Sequence, residues 1–86
     1  RLDRARLSDG GIGWRIRWLQ DNPLAEAAGL QRGDVLRAVN GIAVTDAAAL
    51  QGLLPMLGRL SEITVDYERG DTTIRAVIPL LKGPSP

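Results

Sequence analysis

The stretch G-L-Q-R-G-D-V-L-R-A-V-N-G, residues 29–41, restricts the fold more than any other part of this chain. Val35 to Val39 is an apolar run of strand length, and turn signals stand on both sides of it. Before the strand, Gly33 allows a tight turn, and Asp34 can accept hydrogen bonds from backbone N–H groups there. After the strand, Asn40-Gly41 is the dipeptide most favoured in a type I′ turn. The sequence therefore predicts a short strand between two tight reversals.

A short helix is predicted before this strand. Asn22-Pro23 is a helix start signal, because asparagine caps helices and proline fits the first turn, where its missing N–H is not needed. Gly29 supplies the stop. The predicted helix therefore covers residues 23–28.

A longer helix is predicted after the strand. Thr45 or Asp46 can cap it, and Pro55 should kink it or end its regular part near Leu54. Its apolar residues recur at helical spacing and predict one buried stripe. The members of this stripe are Ala47, Leu50, Leu53, Leu54 and Leu57.

The remaining segments read as strands joined by short turns. Leu2 to Leu7 suits an edge strand, Ser8 to Gly11 a turn whose two glycines supply positive φ, and Ile12 to Leu19 a half-buried strand. Ile63 to Tyr67 and Ile74 to Ile78 alternate in polarity around the turn Arg69-Gly70-Asp71. Short antiparallel connections around two helices predict an α+β domain over residues 1–81, with a small, strongly bent sheet and a flexible tail at residues 82–86.

The composition excludes several classes of function. The 86 residues contain no cysteine and no histidine, which removes disulfides, Cys/His zinc sites and Ser-His-Asp catalysis. The carboxylates form no spaced cluster for a metal ion or an acid/base pair, so we expect no enzyme activity, no cofactor and no metal. A net charge of +1 argues against nucleic-acid binding, and no apolar run is long enough to span a membrane, so we expect no membrane contact by this fragment.

The segment Ala28 to Gly41 resembles the PDZ domain family, whose pattern here is A-G-L-x-x-G-D-x-I-x-x-(V/I)-N-G. The resemblance covers roughly residues 12–80 and implies a PDZ fold, a partly open barrel with one short and one longer helix. Gly11-Ile12-Gly13-Trp14 is similar to the loop with which many PDZ domains bind a terminal carboxylate. Only one strand fits between Trp14 and Pro23, however, which favours the permuted bacterial arrangement and an ordinary hairpin turn at Gly10 to Gly13.

Within the family, the amino-acid sequence of two segments is similar to that of the C-terminal PDZ domains of protein C of type II secretion systems. These segments are Gly13-Trp14-Arg15-Ile16 and Asn22-Pro23-Leu24-Ala25. The resemblance implies a periplasmic domain of an inner-membrane protein that binds secreted substrates or other secretion components. PDZ domains of periplasmic serine proteases and of site-2 proteases remain the alternative, because A-E-A-A-G-L is also common in them.

The resemblance also implies a binding site, in which a peptide adds as a strand beside Leu2 to Leu7 and meets the helix that begins near Ala47. Arg4 and Arg6 should bias this site towards acidic segments. Trp14 and Trp18 could instead stack nucleic-acid bases, but core packing explains them more simply. The expected peptide-binding residues are Leu2, Arg4, Arg6, Leu7, Ala47, Leu50, Gln51 and Leu54.

Overall fold

A computed structural model describes residues 2–17 and 23–80, which form an antiparallel sheet with one short and one longer helix. The predicted α+β class is confirmed. Three features of the sequence analysis lie outside the described residues. They are the predicted helix cap Asn22, the side chain of Trp18 and the predicted tail at residues 82–86. In chain order the elements are β1 Leu2–Arg6, β2 Ile12–Ile16, α1 Pro23–Ala27, β3 Val35–Val39, β4 Ile42–Ala43, α2 Ala47–Leu53, a 3₁₀ helix Leu54–Arg59, β5 Glu62–Arg69 and β6 Thr72–Pro79.

The sheet runs in the order β1-β2-β3-β5-β6, and β4 pairs with β3 beside this path. Every pairing is antiparallel. The sheet is not closed, so β1 and β6 lie at its two ends. The prediction of an edge strand near the start of the chain is therefore confirmed. None of the helices in residues 2–17 and 23–80 has the length and apolar character needed to cross a membrane.

The connection between β1 and β2 is a three-residue hairpin turn. The Leu7 N–H donates to the Gly11 carbonyl at 2.8 Å, and the Gly10 N–H donates to the Leu7 carbonyl at 3.0 Å. Gly10 has φ of 90°, as this turn type requires at its last position. The expectation of positive φ at both glycines was wrong for Gly11, because a turn of this length needs only one left-handed residue. Gly13 already belongs to β2.

The predicted type I′ turn between β3 and β4 is confirmed by φ of 50° at Asn40 and 78° at Gly41. Asn40 also joins this turn to β5. Its N–H donates to the Thr64 carbonyl at 2.8 Å, and its side-chain oxygen accepts from the Thr64 N–H at 2.7 Å. The turn is thus fixed by both its backbone and its side chain.

The larger core cluster lies between α1, α2 and the strands β5 and β6. Leu53 and Leu57 pack against it, as predicted, but Leu54 is 64% exposed. The predicted buried stripe is therefore wrong at Leu54, and also at Ala47, which is exposed in the first turn of α2. Pro55 ends the α-helix, and the 3₁₀ helix that follows has 3.0 rather than 3.6 residues per turn, which breaks the spacing of the stripe. The buried residues of this cluster are Ala28, Ile63, Val65, Tyr67 and Ile78.

The different surroundings of Leu53 and Leu54 make a matched test of this packing. We expect Leu53→Ala to lower the free energy of unfolding by about 2 kcal/mol, near the low end for leucine truncation because the side chain is only half-buried. Leu54→Ala should change it by less than about 0.5 kcal/mol. Urea unfolding of both variants measures the difference, and equal losses would contradict the assignment.

Candidate functional site

The free edge of β1 presents a defined set of backbone groups. Hydrogen-bonded and non-hydrogen-bonded pairs alternate along an antiparallel ladder. The bond from the Leu7 N–H to Gly11 fixes that alternation, since β1 pairs with β2 in continuous register from Leu2 to Arg6. The N–H and C=O groups of Leu2, Arg4 and Arg6 therefore point away from β2. Among the described residues no strand pairs with β1 on that side.

The side chain of Arg4 emerges on the face of the sheet that α2 covers. Arg4 is paired with Trp14, Trp14 with Leu36, and Leu36 with Tyr67. Directly opposed residues on neighbouring strands point to the same face. Tyr67 belongs to the core cluster against which the α2 residue Leu53 packs. The outer edge of β1 and the helix α2 therefore belong to the same side of the sheet.

Trp14 connects the two sides of this site. Its indole N–H donates to the Val44 carbonyl at 3.0 Å, and the Val44 N–H donates to the Arg37 carbonyl at 3.0 Å. Asp46 then caps α2, because its carboxylate accepts from the Ala49 N–H at 3.1 Å. Of the two predicted caps, the structure uses Asp46. The start of α2 is thus attached to β2, the strand beside β1.

The exposed face of α2 and the free edge of β1 are here called the candidate groove. On the helix side Ala47, Gln51 and Leu54 are exposed and Leu50 is half-buried. Spacings of three and four residues place these side chains on one face of the helix. None of the four is charged, so the helix side of the candidate groove is neutral and largely apolar.

The predicted site residues of β1 fall into two groups. Arg4 and Arg6 are exposed, and neither makes an ion pair within residues 2–17 and 23–80. Leu7 lies just beyond β1 and is only 6% exposed, in a small core cluster with Ala5 and Val35. Leu7 therefore supports the strand from the opposite face of the sheet. Leu2 contributes the backbone groups already described.

An ion-pair network that the sequence did not predict holds the β1–β2 turn against the sheet. Glu68 is 4% exposed and accepts from the Ser8 N–H at 2.9 Å, from the Ser8 hydroxyl at 3.0 Å and from Arg37 at 3.4 Å. Arg37 also pairs with Asp9. The Arg37 hydrogen bond, with help from the Gly11 N–H, lowers the pKa of Asp9, and Asp9 in turn raises the pKa of Arg37. In the sequence Glu68 continues the polar side of an alternating strand, after Thr64 and Asp66, so the pattern predicts an exposed carboxylate there.

The predicted role of Asp34 is confirmed and extended. Its carboxylate accepts from the Gln31 N–H at 2.7 Å, inside the turn, and from two nitrogens of Arg69 at 2.8 and 3.0 Å. The hydrogen bonds from Arg69 to Asp34 raise the pKa of Arg69. In the turn Arg69-Gly70-Asp71 the arginine is therefore held by Asp34 within the fold. The described ranges contain no carboxylate cluster suited to a metal ion.

Residues 15–65 match the family model of the PDZ domain, and this chain belongs to that family. PDZ domains are typically non-catalytic modules that bind peptides or proteins. The strand order and the two helices agree with this assignment.

Two solved structures extend the likeness over nearly the whole chain. Both are of the PDZ domain of EpsC from Vibrio cholerae. One shares 29% identity, covers 93% of this chain and 92% of that chain, and gives a TM-score of 0.68. The other shares 28% identity, covers 93% of this chain and 76% of that chain, and gives a TM-score of 0.64.

Two curated proteins are also similar in sequence. The type II secretion system protein C of Vibrio cholerae is 32% identical over 80% of this chain and 23% of its own length. The putative serine protease HhoA of Synechocystis is 37% identical over 63% of this chain and 14% of its own length. The chain thus spans less than a quarter of either relative.

Gly13 gives a test of the sheet that supports the candidate groove. A Cβ at Gly13 would clash with the Leu36 carbonyl oxygen, whereas a Cβ at Gly52 in α2 would meet nothing within 4 Å. We expect Gly13→Ala to destabilise the domain strongly, by more than about 2 kcal/mol, because backbone must move. Gly52→Ala should stabilise it by up to about 1 kcal/mol through helix propensity. Thermal unfolding of both variants measures this contrast, and a neutral Gly13→Ala would refute the close approach of β2 and β3.

Proposed function

We propose that this domain is a non-catalytic interaction module that accepts an extended segment of another protein as an additional strand on β1. The observation that carries this proposal is that unpaired backbone groups of β1 and the uncharged face of α2 belong to the same side of the sheet. The outward-pointing N–H and C=O groups belong to Leu2, Arg4 and Arg6, and the side chain of Arg4 is on the face of the sheet against which α2 packs. Strand addition satisfies such unpaired backbone groups, while neighbouring side chains select the sequence.

We further propose that the module works in a type II secretion machinery, as a periplasmic domain of an inner-membrane protein. Similarity to the type II secretion system protein C of Vibrio cholerae supports this assignment, and so does the likeness to the EpsC domain of the same organism over more than nine tenths of both chains. On this proposal its partners are secreted substrates or other components of the machinery. The whole protein to which the module belongs acts through these contacts and carries no active site of its own.

A regulatory or substrate-binding PDZ domain of a periplasmic protease is the second candidate, and the similarity to HhoA favours it. That similarity covers less of this chain than the similarity to protein C. The sequence that flanks this domain in its gene distinguishes the two candidates. An upstream membrane span without a protease domain supports the secretion role, and a trypsin-like or metalloprotease domain supports the second.

Binding at the candidate groove should be weak. An added strand of a few residues makes few contacts, and ordering a flexible segment costs conformational entropy. We therefore expect dissociation constants of about 10 μM or above. Weak, reversible contacts suit a module that must release what it binds.

Backbone-directed binding is tested by comparing Arg4→Pro with Arg4→Ala. The Arg4 N–H points away from β2, so proline removes a donor to the ligand and leaves the β1–β2 ladder intact. With the blocked probes T-V-E-V-E-V-T and T-V-Q-V-Q-V-T, we expect Arg4→Pro to abolish binding and Arg4→Ala to weaken it by no more than about fivefold.

Backbone amide shifts in isotope-labelled protein are the readout. Shifts at residues 2–7 and 47–54 that survive Arg4→Ala and disappear in Arg4→Pro support strand addition. Thermal unfolding of both variants controls for loss of the fold. Shifts centred on Trp14 or on the β5–β6 hairpin, or equal binding by the two variants, would refute the proposal.

A further inference from the structure

Arg4 and Arg6 make no ion pair with any other described residue of the fold. Both are exposed, and neither contacts a carboxylate within the described ranges. Three arginines of β3, β5 and β6 contrast with them: Arg37, Arg69 and Arg75 each pair with an acidic residue. Side chains that the fold does not use, at an edge that we expect to bind, are candidates for contact with the ligand.

The register of β1 determines where both the backbone groups and the side chains of Arg4 and Arg6 point. Arg4 and Arg6 are two residues apart, so their side chains project to the same face, the one that carries α2. They are also the residues whose backbone groups point outward. Each residue of an added strand that lies opposite one of them therefore shares its face as well. This holds for either direction of the added strand, because side chains alternate in both.

We propose that the candidate groove selects segments that carry carboxylate side chains at alternate positions, acidic-x-acidic. This inference rests on the proposed strand addition at β1. Two such carboxylates lie opposite Arg4 and Arg6, with Cβ atoms of paired residues about 5 Å apart, within reach of an arginine. The residue between them points to the other face of the sheet.

On the other face, the described residues of β1 itself present no cation, and the exposed Arg15 lies one strand further from the edge, on β2 opposite Asp3. There Asp3 is paired with Arg17 at 2.9 Å, so an acidic ligand residue that points to this side meets a carboxylate and an arginine that is already neutralised. Two adjacent acidic residues would place one on each face and gain only one favourable pair. The spacing of the carboxylates, and not only their number, should therefore decide affinity.

The neighbouring charges agree with this selection. The α2 side of the candidate groove is uncharged from Ala47 to Leu54, and its leucines can pack against the methylene groups of an acidic side chain. Asp46, the cap of α2, is the acidic group at the start of that helix and disfavours a third carboxylate there. Exposed pairs are screened by salt, so the preference should weaken as ionic strength rises.

Isomeric probes of identical charge test the spacing. T-V-E-V-E-V-T carries its acids at alternate positions, T-V-E-E-V-V-T carries them side by side, and T-E-V-V-E-V-T carries them three apart, all with blocked ends. We expect the alternating isomer to bind roughly two- to fivefold tighter than the other two, the effect of one additional exposed pair. Amide-shift titration of the labelled domain gives the dissociation constants.

Variants assign the preference to the two arginines. In Arg4→Gln/Arg6→Gln the three isomers should bind alike, whereas Arg15→Gln/Arg32→Gln, which removes two other exposed and unpaired arginines, should keep the preference. Arg4→Glu/Arg6→Glu should instead prefer T-V-K-V-K-V-T over its side-by-side isomer.

The outcomes separate this inference from the proposed function. Equal affinities for the isomers, with shifts still at residues 2–7 and 47–54, would overturn alternate-acid selection and leave strand addition standing. A preference that persists in Arg4→Gln/Arg6→Gln would overturn it as well. Probes that move no amide of β1 would overturn both.

Discussion

The fold depends on the carboxylate of Asp34, which is 2% exposed. A buried charge costs several kcal/mol unless partners replace its water. Asp34 obtains them from the turn before β3 and from Arg69 at the end of β5. Arg69 also donates to the Gly29 carbonyl at 2.9 Å, and the Tyr67 hydroxyl donates to the Ala28 carbonyl at 2.9 Å. The end of α1, the start of β3 and the end of β5 are thereby fixed to one another.

Glu68 is a second buried carboxylate with hydrogen-bond partners, on the opposite side of β5. Consecutive residues of a strand point to opposite faces, so Glu68 and Arg69 reach in different directions. Arg69 fixes the helix side, while Glu68 holds the turn at Ser8 and Arg37. Two adjacent residues of one strand thus position both the core and the hairpin that ends in the free edge. Removing the carboxylate of either pair would leave a cation or N–H groups without partners.

Much of the fold was accessible from the sequence, because its signals were local. The Asn40-Gly41 turn, the strand Val35–Val39 and the break at Pro55 follow from short-range backbone preferences and were confirmed. The burial of Glu68 and the exposure of Leu54 were not predicted. Each depends on what packs against the residue from elsewhere in the chain, and alternation along one strand or helix does not contain that information.

Some features of the candidate site could also be predicted from the sequence, and others could not. The edge position of β1 and the neutral face of α2 could be predicted, since strand order follows from the family resemblance and the helix face from residue spacing. The burial of Leu7 and the bond from Trp14 to Val44 could not. Both arise where the β1–β2 hairpin meets residues more than 20 positions away in the chain.

The absence of fold contacts at Arg4 and Arg6 among the described residues has a consequence for evolution. Substitution of exposed side chains without partners changes stability by only about 0.5 kcal/mol or less. Backbone bonding at the edge does not depend on which side chains stand there. On the proposed strand addition, new ligand preferences can therefore arise by single changes at these two positions with little loss of folded protein. Related domains with different ligands can diverge there while Asp34, Glu68 and their partners stay under selection to keep the fold.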